Sequence, residues 1–168
     1  VTGWSLAFPD GTSWYVPVSH KKRNVSIPDN MRLLRALLAF DGKLYVHNLR
    51  HEINALNRPP CPVLLTDAKA KLGCTQTLAH LAQVGVNQGQ KNVSFGLKQL
   101  MKHHFTWDML TFDHVTGGRL FAGLDPKDKT VVQYACEDAE AALVFADKCE
   151  NEWLLPGQRE VFWGVRTR

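Results

Sequence analysis

Apolar and polar residues near the start of the chain follow the pattern of a β-hairpin. The segment Thr2 to Phe8 is rich in apolar residues and ends at Pro9-Asp10-Gly11, a strong turn signal. Ser13 to Val18 then resumes with Trp, Tyr and Val, residues that favour strands. We therefore predict two strands joined by this turn.

The rest of the chain combines helical spacing of apolar residues with short apolar runs. The predicted helices are 28–41, 49–56, 67–84 with an interruption at Gly73, 94–103 with Ser94 as its N-cap, and 130–151; the predicted strands are 43–47 and 62–66. Residues 85–92 are predicted to form a loop, 106–128 to be irregular, and the tail from Pro156 to begin another helix. A hairpin followed by helix–strand alternation predicts the α/β class with a mixed sheet flanked by helices.

Composition narrows this prediction only slightly. The chain has 168 residues, which suits one domain, and no apolar run approaches the length of a membrane helix. We therefore expect no membrane partner. The four cysteines are scattered, without zinc-like spacing, and no signal peptide is visible, so we expect reduced thiols in the cytoplasm. A net charge of +4 is compatible with nucleic acid as a partner but does not establish one.

The first candidate for chemistry is a pair on the last long predicted helix. Tyr134 and Asp138 are four residues apart, so they project from one face about one turn apart. That face is otherwise apolar, where a carboxylate is costly unless it is paired or binds a cation. The alternative is an Asp at the edge of the helix, paired with a nearby lysine.

Glu52 is a second candidate, because it follows a predicted strand at a strand-to-helix junction. Open α/β sheets bind their ligands beyond the carboxyl ends of strands, so Glu52 could join Asp138 across a site. The alternative is an exposed first-turn Glu that the helix dipole favours.

The motif Tyr-Ala-x-Glu-Asp-Ala, from Tyr134 to Ala139, resembles the third exonuclease motif of the 3′–5′ proofreading exonuclease domain of family-A DNA polymerases. Further stretches resemble other parts of that domain in the same order. They are 1–7 and 15–20 (two strands), 46–52 (the second motif), 66–68 and 94–100 (two helices). The resemblance covers residues 1 to about 154, and it implies an RNase H-like fold.

Two departures from the family pattern stand out. The family's first motif, Asp-x-Glu, lies on a first, central strand upstream of the position of Val1, and it is absent from this sequence. Glu52 also stands where the family has Asp. Either a longer parent protein supplies the first strand, or the domain is no longer an exonuclease.

The resemblance implies hydrolysis of the 3′-terminal phosphodiester of single-stranded DNA with two metal ions, Mg²⁺ or Mn²⁺. It implies that Asp138 and Glu52 are metal ligands and that Tyr134 orients the attacking water. It also implies nucleic-acid contacts by Asn48, His51 and Lys91, for each of which a plain surface role is the alternative.

The domain organisation that the resemblance implies is an exonuclease-like domain over 1–155. Residues 156–168 are then the start of a connection to a covalently linked polymerase domain, in a bacterial or phage-type cytoplasmic setting. Two other interpretations stay open: an inactive remnant that acts as a structural or DNA-binding module, and another nuclease or nucleic-acid-binding member of the RNase H-like superfamily.

Overall fold

A computed structural model describes residues 1–58, 63–87 and 93–164 of the chain. Its strands are β1 (Gly3–Ala7), β2 (Ser13–Pro17), β3 (Lys43–Val46), β4 (Lys71–Cys74), β5 (Val86–Asn87) and β6 (Val93–Ser94). Its helices are α1 (Ile27–Ala39), α2 (Leu49–Leu56), α3 (Thr75–Leu81), α4 (Leu97–Phe105), α5 (Phe112–Thr116), α6 (Lys129–Lys148) and α7 (Pro156–Gly164). The α/β class is therefore confirmed.

The strands of the described residues form three separate two-stranded ladders rather than the single mixed sheet that the sequence predicted. β1 and β2 are antiparallel, β3 and β4 are parallel, and β5 and β6 form a short antiparallel pair. Helix α6 packs against β1, β2 and β3, so it joins the hairpin and the parallel pair.

The predicted hairpin is confirmed, and the pleat of its strands places helices on both faces. Trp4 pairs with Val16, and its indole N–H donates to Asn30 Oδ1 of α1 over 2.8 Å. Ser13, on the opposite face, donates to Glu140 of α6. Because successive side chains of a strand point to opposite faces, the hairpin lies between α1 and α6.

The predicted helix 67–84 is wrong in its first half. Residues 71–74 form strand β4, with Leu72 opposite Leu44, and only Thr75–Leu81 is helical. Pairing with β3 overrides the local helical pattern, as tertiary context often does. Gly73 suits this strand, because a Cβ there would lie 2.8 Å from the Tyr45 ring.

Three smaller predictions also need correction. The described part of the predicted strand 62–66 contains no strand, and Leu65–Asp67 forms a 3-10 turn. Ser94 belongs to β6 and its Oγ accepts the Gly96 N–H, so Gly96, not Ser94, is the N-cap of α4. The segment 106–128, predicted to be irregular, contains α5.

The largest apolar core lies where α3, α4 and α6 meet. Leu78, Leu100, Met101 and Phe145 have no exposed surface. Burial of these side chains from three helices fixes the position of α6. None of the helices in the described part of the chain has the length and apolar character needed to span a bilayer.

Candidate functional site

A cavity of about 880 Å³ opens between the hairpin and the parallel strand pair. Residues 1–6 of the hairpin and 44–48 around β3 line it consecutively. Alternate side chains of a strand point to opposite faces, so a cavity lined by consecutive residues lies along a strand's edge. Within residues 1–58, 63–87 and 93–164, β1 and β3 each pair on one side only, so the other edge of each faces this cavity, and α6 forms its floor.

Tyr134 and Asp138 both line the cavity from α6. They lie one turn apart because α6 is a regular helix there, with Asp128 capping its first turn through the Thr130 N–H. The small side chains of Ala135 and Ala139 line the cavity beside them and leave the surface open. The predicted common face of Tyr134 and Asp138 is thus confirmed in the structure.

The carboxylate of Asp138 is paired with a lysine from another helix. Lys98 Nζ of α4 lies 3.3 Å from Asp138 Oδ1. Burial raises the pKa of Asp138 above its usual range, and the positive charge of Lys98 opposes that rise. The alternative interpretation of Asp138, a carboxylate paired with a nearby lysine, therefore describes its local contact.

Glu52 lines the same cavity from the first turn of α2. Burial raises the pKa of its carboxyl, His51 opposes the rise, and the negative charge of Asp138 adds to it. A bound cation would relieve the repulsion that Asp138 exerts on the ionised form of Glu52. Glu52 is half-buried, so it is not the plain exposed first-turn residue of the alternative interpretation.

The remaining predicted contact residues lie at the rim. Asn48 has a left-handed backbone, with φ 60° and ψ 65°, and no side-chain capping bond at the start of α2. Asn tolerates this conformation better than most residues. Asn48 and His51 are exposed and line the cavity. Lys91 lies outside the described residues.

The donor set fits one hard divalent cation better than two. Carboxylate oxygens suit Mg²⁺, which commonly takes one or two carboxylates and completes its shell with water. No group of three or more His, Cys, Asp or Glu side chains in the described residues could hold a metal. Asp138 and Glu52 could thus hold one such ion, whereas a two-metal site needs further ligands.

Several neighbours of the site carry no signal in the sequence. Phe112 and Phe121 lie 6.4 Å and 5.7 Å from the Tyr134 ring, centroid to centroid, and both line the cavity. Lys98 Nζ lies 4.6 Å from the same ring. These residues are distant from Tyr134 in sequence, so no local pattern could place them beside it.

His47 also lines the cavity, next to the end of β3. Burial lowers the pKa of His47 to about 4, although a hydrogen bond with the Phe95 backbone opposes the change. Its Nδ1 lies 2.9 Å from Thr75 Oγ1. His47 is therefore a neutral, hydrogen-bonded part of the cavity wall.

No family model matches this chain, and no curated protein matches it at a significant level.

Proposed function

We propose that this chain is a 3′–5′ exonuclease-type domain of the RNase H-like superfamily, similar to the proofreading domain of family-A DNA polymerases. The observation that carries the proposal is the meeting of Tyr134, Asp138 and Glu52 in one cavity. The sequence motifs that contain them are far apart along the chain. Their convergence is what a nuclease site built from these motifs requires.

The chemistry of the three side chains supports hydrolysis of a phosphodiester. Asp138 and Glu52 offer hard oxygen ligands to Mg²⁺ or Mn²⁺, which would stabilise the negative charge that develops on phosphate oxygens. Burial raises the pKa of Tyr134, and Asp138 adds to the rise, so its hydroxyl stays neutral. A neutral hydroxyl can orient a water molecule by hydrogen bonding without acting as the base.

The unpaired strand edges support the RNase H-like topology. β1 and β3 both line the cavity, and no strand of the described residues lies between them. In the proposed fold, a further strand with the Asp-x-Glu motif lies between these edges and supplies two more carboxylates. Exposed edges of this kind readily pair with another strand.

The rim of the cavity suits a single strand of DNA that enters by its 3′ end. Asn48 and His51 are exposed there, and an imidazole can stack on a base. The net charge of +4 favours a polyanion. We further propose that α7 leads into a covalently linked polymerase domain of a bacterial or phage-type protein that acts in the cytoplasm.

The test is release of nucleotides from a 5′-labelled single-stranded DNA with Mg²⁺ or Mn²⁺. It should be run on this chain and on the chain extended by the upstream residues of its gene. We expect stepwise 3′ shortening that Asp138→Ala reduces by about 100-fold or more. The matched control is Asp108→Ala, which removes an exposed carboxylate paired with Lys102. Activity that survives Asp138→Ala would contradict the proposal.

An inactive structural or DNA-binding module is the second candidate. The pairing of Lys98 with Asp138 and the presence of only two cavity carboxylates among the described residues favour it. As a DNA-binding module, the chain should bind single-stranded DNA in a salt-dependent way, and His51→Ala should weaken this binding. Neither the chain nor its extended form should hydrolyse the DNA. Absence of both binding and hydrolysis would contradict the exonuclease and the DNA-binding module, and would leave a structural role.

A further inference from the structure

Lys98 has an unusual position for a lysine. It lies in the first turn of α4, where the helix dipole disfavours a positive charge. Its side chain is only 33% exposed, and it reaches over the surface of α6. A cation in this position needs acceptors that compensate for the dipole and for partial loss of water.

Three partners surround the ammonium group. Lys98 Nζ donates to the Leu110 carbonyl, lies 3.3 Å from Asp138 Oδ1 and lies 4.6 Å from the centre of the Tyr134 ring. An ammonium group has three N–H donors, so each can point at one partner. The carboxylate and the electron-rich face of an aromatic ring both favour a positive charge at this point.

We propose that Lys98 is a built-in cation that competes with a divalent metal ion for Asp138. The proposal rests on the proposed function only in treating Asp138 as a metal ligand. A metal ion on Asp138 would lie within a few ångströms of the ammonium, and the two positive charges would repel each other. The metal therefore binds only when the Lys98 side chain leaves Asp138, or binds more weakly while it stays.

This arrangement gives Lys98 a defined effect on the site. With the ammonium in place, the charge of Asp138 is balanced without a metal, and the Tyr134 ring is held by its contact with Lys98. Displacement of the side chain, by a metal at high concentration or by a substrate phosphate that attracts the ammonium, frees the carboxylate. Lys98 thus sets the metal concentration at which the site fills.

Lys102 is the matched control, since it lies one turn further along the same helix. It pairs with Asp108 over 3.0 Å, and both side chains are largely exposed. Lys98→Met and Lys102→Met remove the same charge from α4 and keep an unbranched side chain. Only Lys98→Met removes the positive charge that lies next to Asp138.

The experiment measures Mn²⁺ affinity by isothermal titration calorimetry on the full chain. We expect Lys98→Met to tighten Mn²⁺ binding by about tenfold or more, because it removes a charge close to the ligand. Lys102→Met should change it by less than about twofold, because exposed charges are screened. The double variant Lys98→Met/Asp138→Asn should lose the gain.

The outcomes separate this inference from the proposed function. Unchanged affinity in Lys98→Met, an equal gain in Lys102→Met, or no Mn²⁺ binding in any variant would overturn the competition. Tight binding that depends on Asp138, without DNA hydrolysis, would support the competition while the exonuclease proposal fails. Lys98→Gln, which keeps a donor without the charge, repeats the test if Lys98→Met does not fold.

Discussion

The indole N–H of Trp107 donates to Glu137 Oε1 over 3.0 Å. The other carboxylate oxygen of Glu137 accepts the Leu110 N–H over 2.7 Å, and Glu137 is only 7% exposed. Glu137 thus anchors the segment before α5 to α6, and α5 contributes Phe112 to the wall beside Tyr134. The two adjacent acidic residues therefore have different roles. Glu137 fixes the segment that forms one wall of the cavity, whereas Asp138 faces the cavity itself.

Replacement of Glu137 by alanine should destabilise the protein. It leaves the Trp107 and Leu110 N–H groups without their acceptor, which costs about 2–3 kcal/mol of unfolding free energy. Urea denaturation measures the change. The matched control is Glu152→Ala, which removes a more exposed carboxylate paired with Lys148 and should cost less than about 1 kcal/mol. Equal losses in the two variants would show that Glu137 is not a buried anchor.

Glu52→Gln should stabilise the protein near pH 7. The folded-state pKa of Glu52 is raised by burial, so ionisation is less favourable in the folded state than in the unfolded state. The resulting penalty is absent below the unfolded pKa and complete above the folded pKa. Glutamine removes it, and we expect a rise in Tm of about 1–3 °C. Thermal unfolding of both proteins, from below the unfolded pKa of Glu52 to neutral pH, measures the difference in Tm between Glu52→Gln and wild type. This difference should vanish at low pH. A lower Tm of Glu52→Gln at neutral pH would contradict the prediction.

His47 should make the protein less stable in mild acid. Burial lowers its pKa from 6.5 to about 4 in the folded state, so between these values the unfolded state binds more protons. The stability that the protein gains from a neutral His47 is complete above about pH 6.5 and is lost as the pH falls towards 4. We expect a loss on the order of 2 kcal/mol over that interval.

Chemical denaturation of wild type and His47→Gln at several pH values tests this. The slope of unfolding free energy against pH between 4 and 6.5 should become shallower in His47→Gln. His103→Gln, which replaces an exposed histidine of α4, is the control and should keep the wild-type slope. A wild-type slope in His47→Gln would rule out His47 as its source.

Trp163 should attach α7 to the strand pair. Its indole N–H donates to Glu150 over 2.9 Å, and its ring contacts Tyr45 edge-on at 5.8 Å. Because Trp163 is half-buried, Trp163→Ala should cost about 2 kcal/mol, below the range for a fully buried tryptophan. Hydrogen exchange of the α7 amides should accelerate as well. Val161→Ala, at a position 57% exposed on the same helix, should leave both measurements nearly unchanged.

Tyr134→Phe should separate the contribution of the Tyr134 hydroxyl from that of its ring. The ring contacts with Phe121 and Lys98 remain in this variant, so folding should be preserved. If Tyr134 orients the attacking water, kcat should fall by about 100-fold with little change in KM, as for the loss of one positioned hydrogen-bonding group. Single-turnover hydrolysis measures the effect. A rise in KM alone would assign Tyr134 to substrate binding instead.

Elements with strong local signals could be predicted from sequence. The hairpin followed from the Pro9-Asp10-Gly11 turn between two apolar segments, and α6 followed from its long helical pattern. The predicted bounds of α2, 49–56, agree with the structure. The common face of Tyr134 and Asp138 also followed, because helical geometry relates residues four apart without any knowledge of the fold.

Elements that depend on distant partners could not be predicted in this way. Residues 71–74 look locally like part of a helix, but they form β4 because β3 offers a parallel partner and Gly73 leaves room for Tyr45. Ser94 likewise looks like a helix cap, but pairing with Val86 places it in β6. Short segments have weak intrinsic preferences, so tertiary pairing decides their structure.

The sequence by itself determined the class of residues available for chemistry: a tyrosine and an aspartate one helical turn apart, and a glutamate in the first turn of another helix. Only the tertiary structure decided that all three residues line one cavity and that Lys98 pairs with Asp138. It also decided that the edges of β1 and β3 face this cavity. Local spacing is set by backbone geometry, which each segment carries within itself. Contacts between distant segments depend on how the whole core packs, and no single segment contains that information.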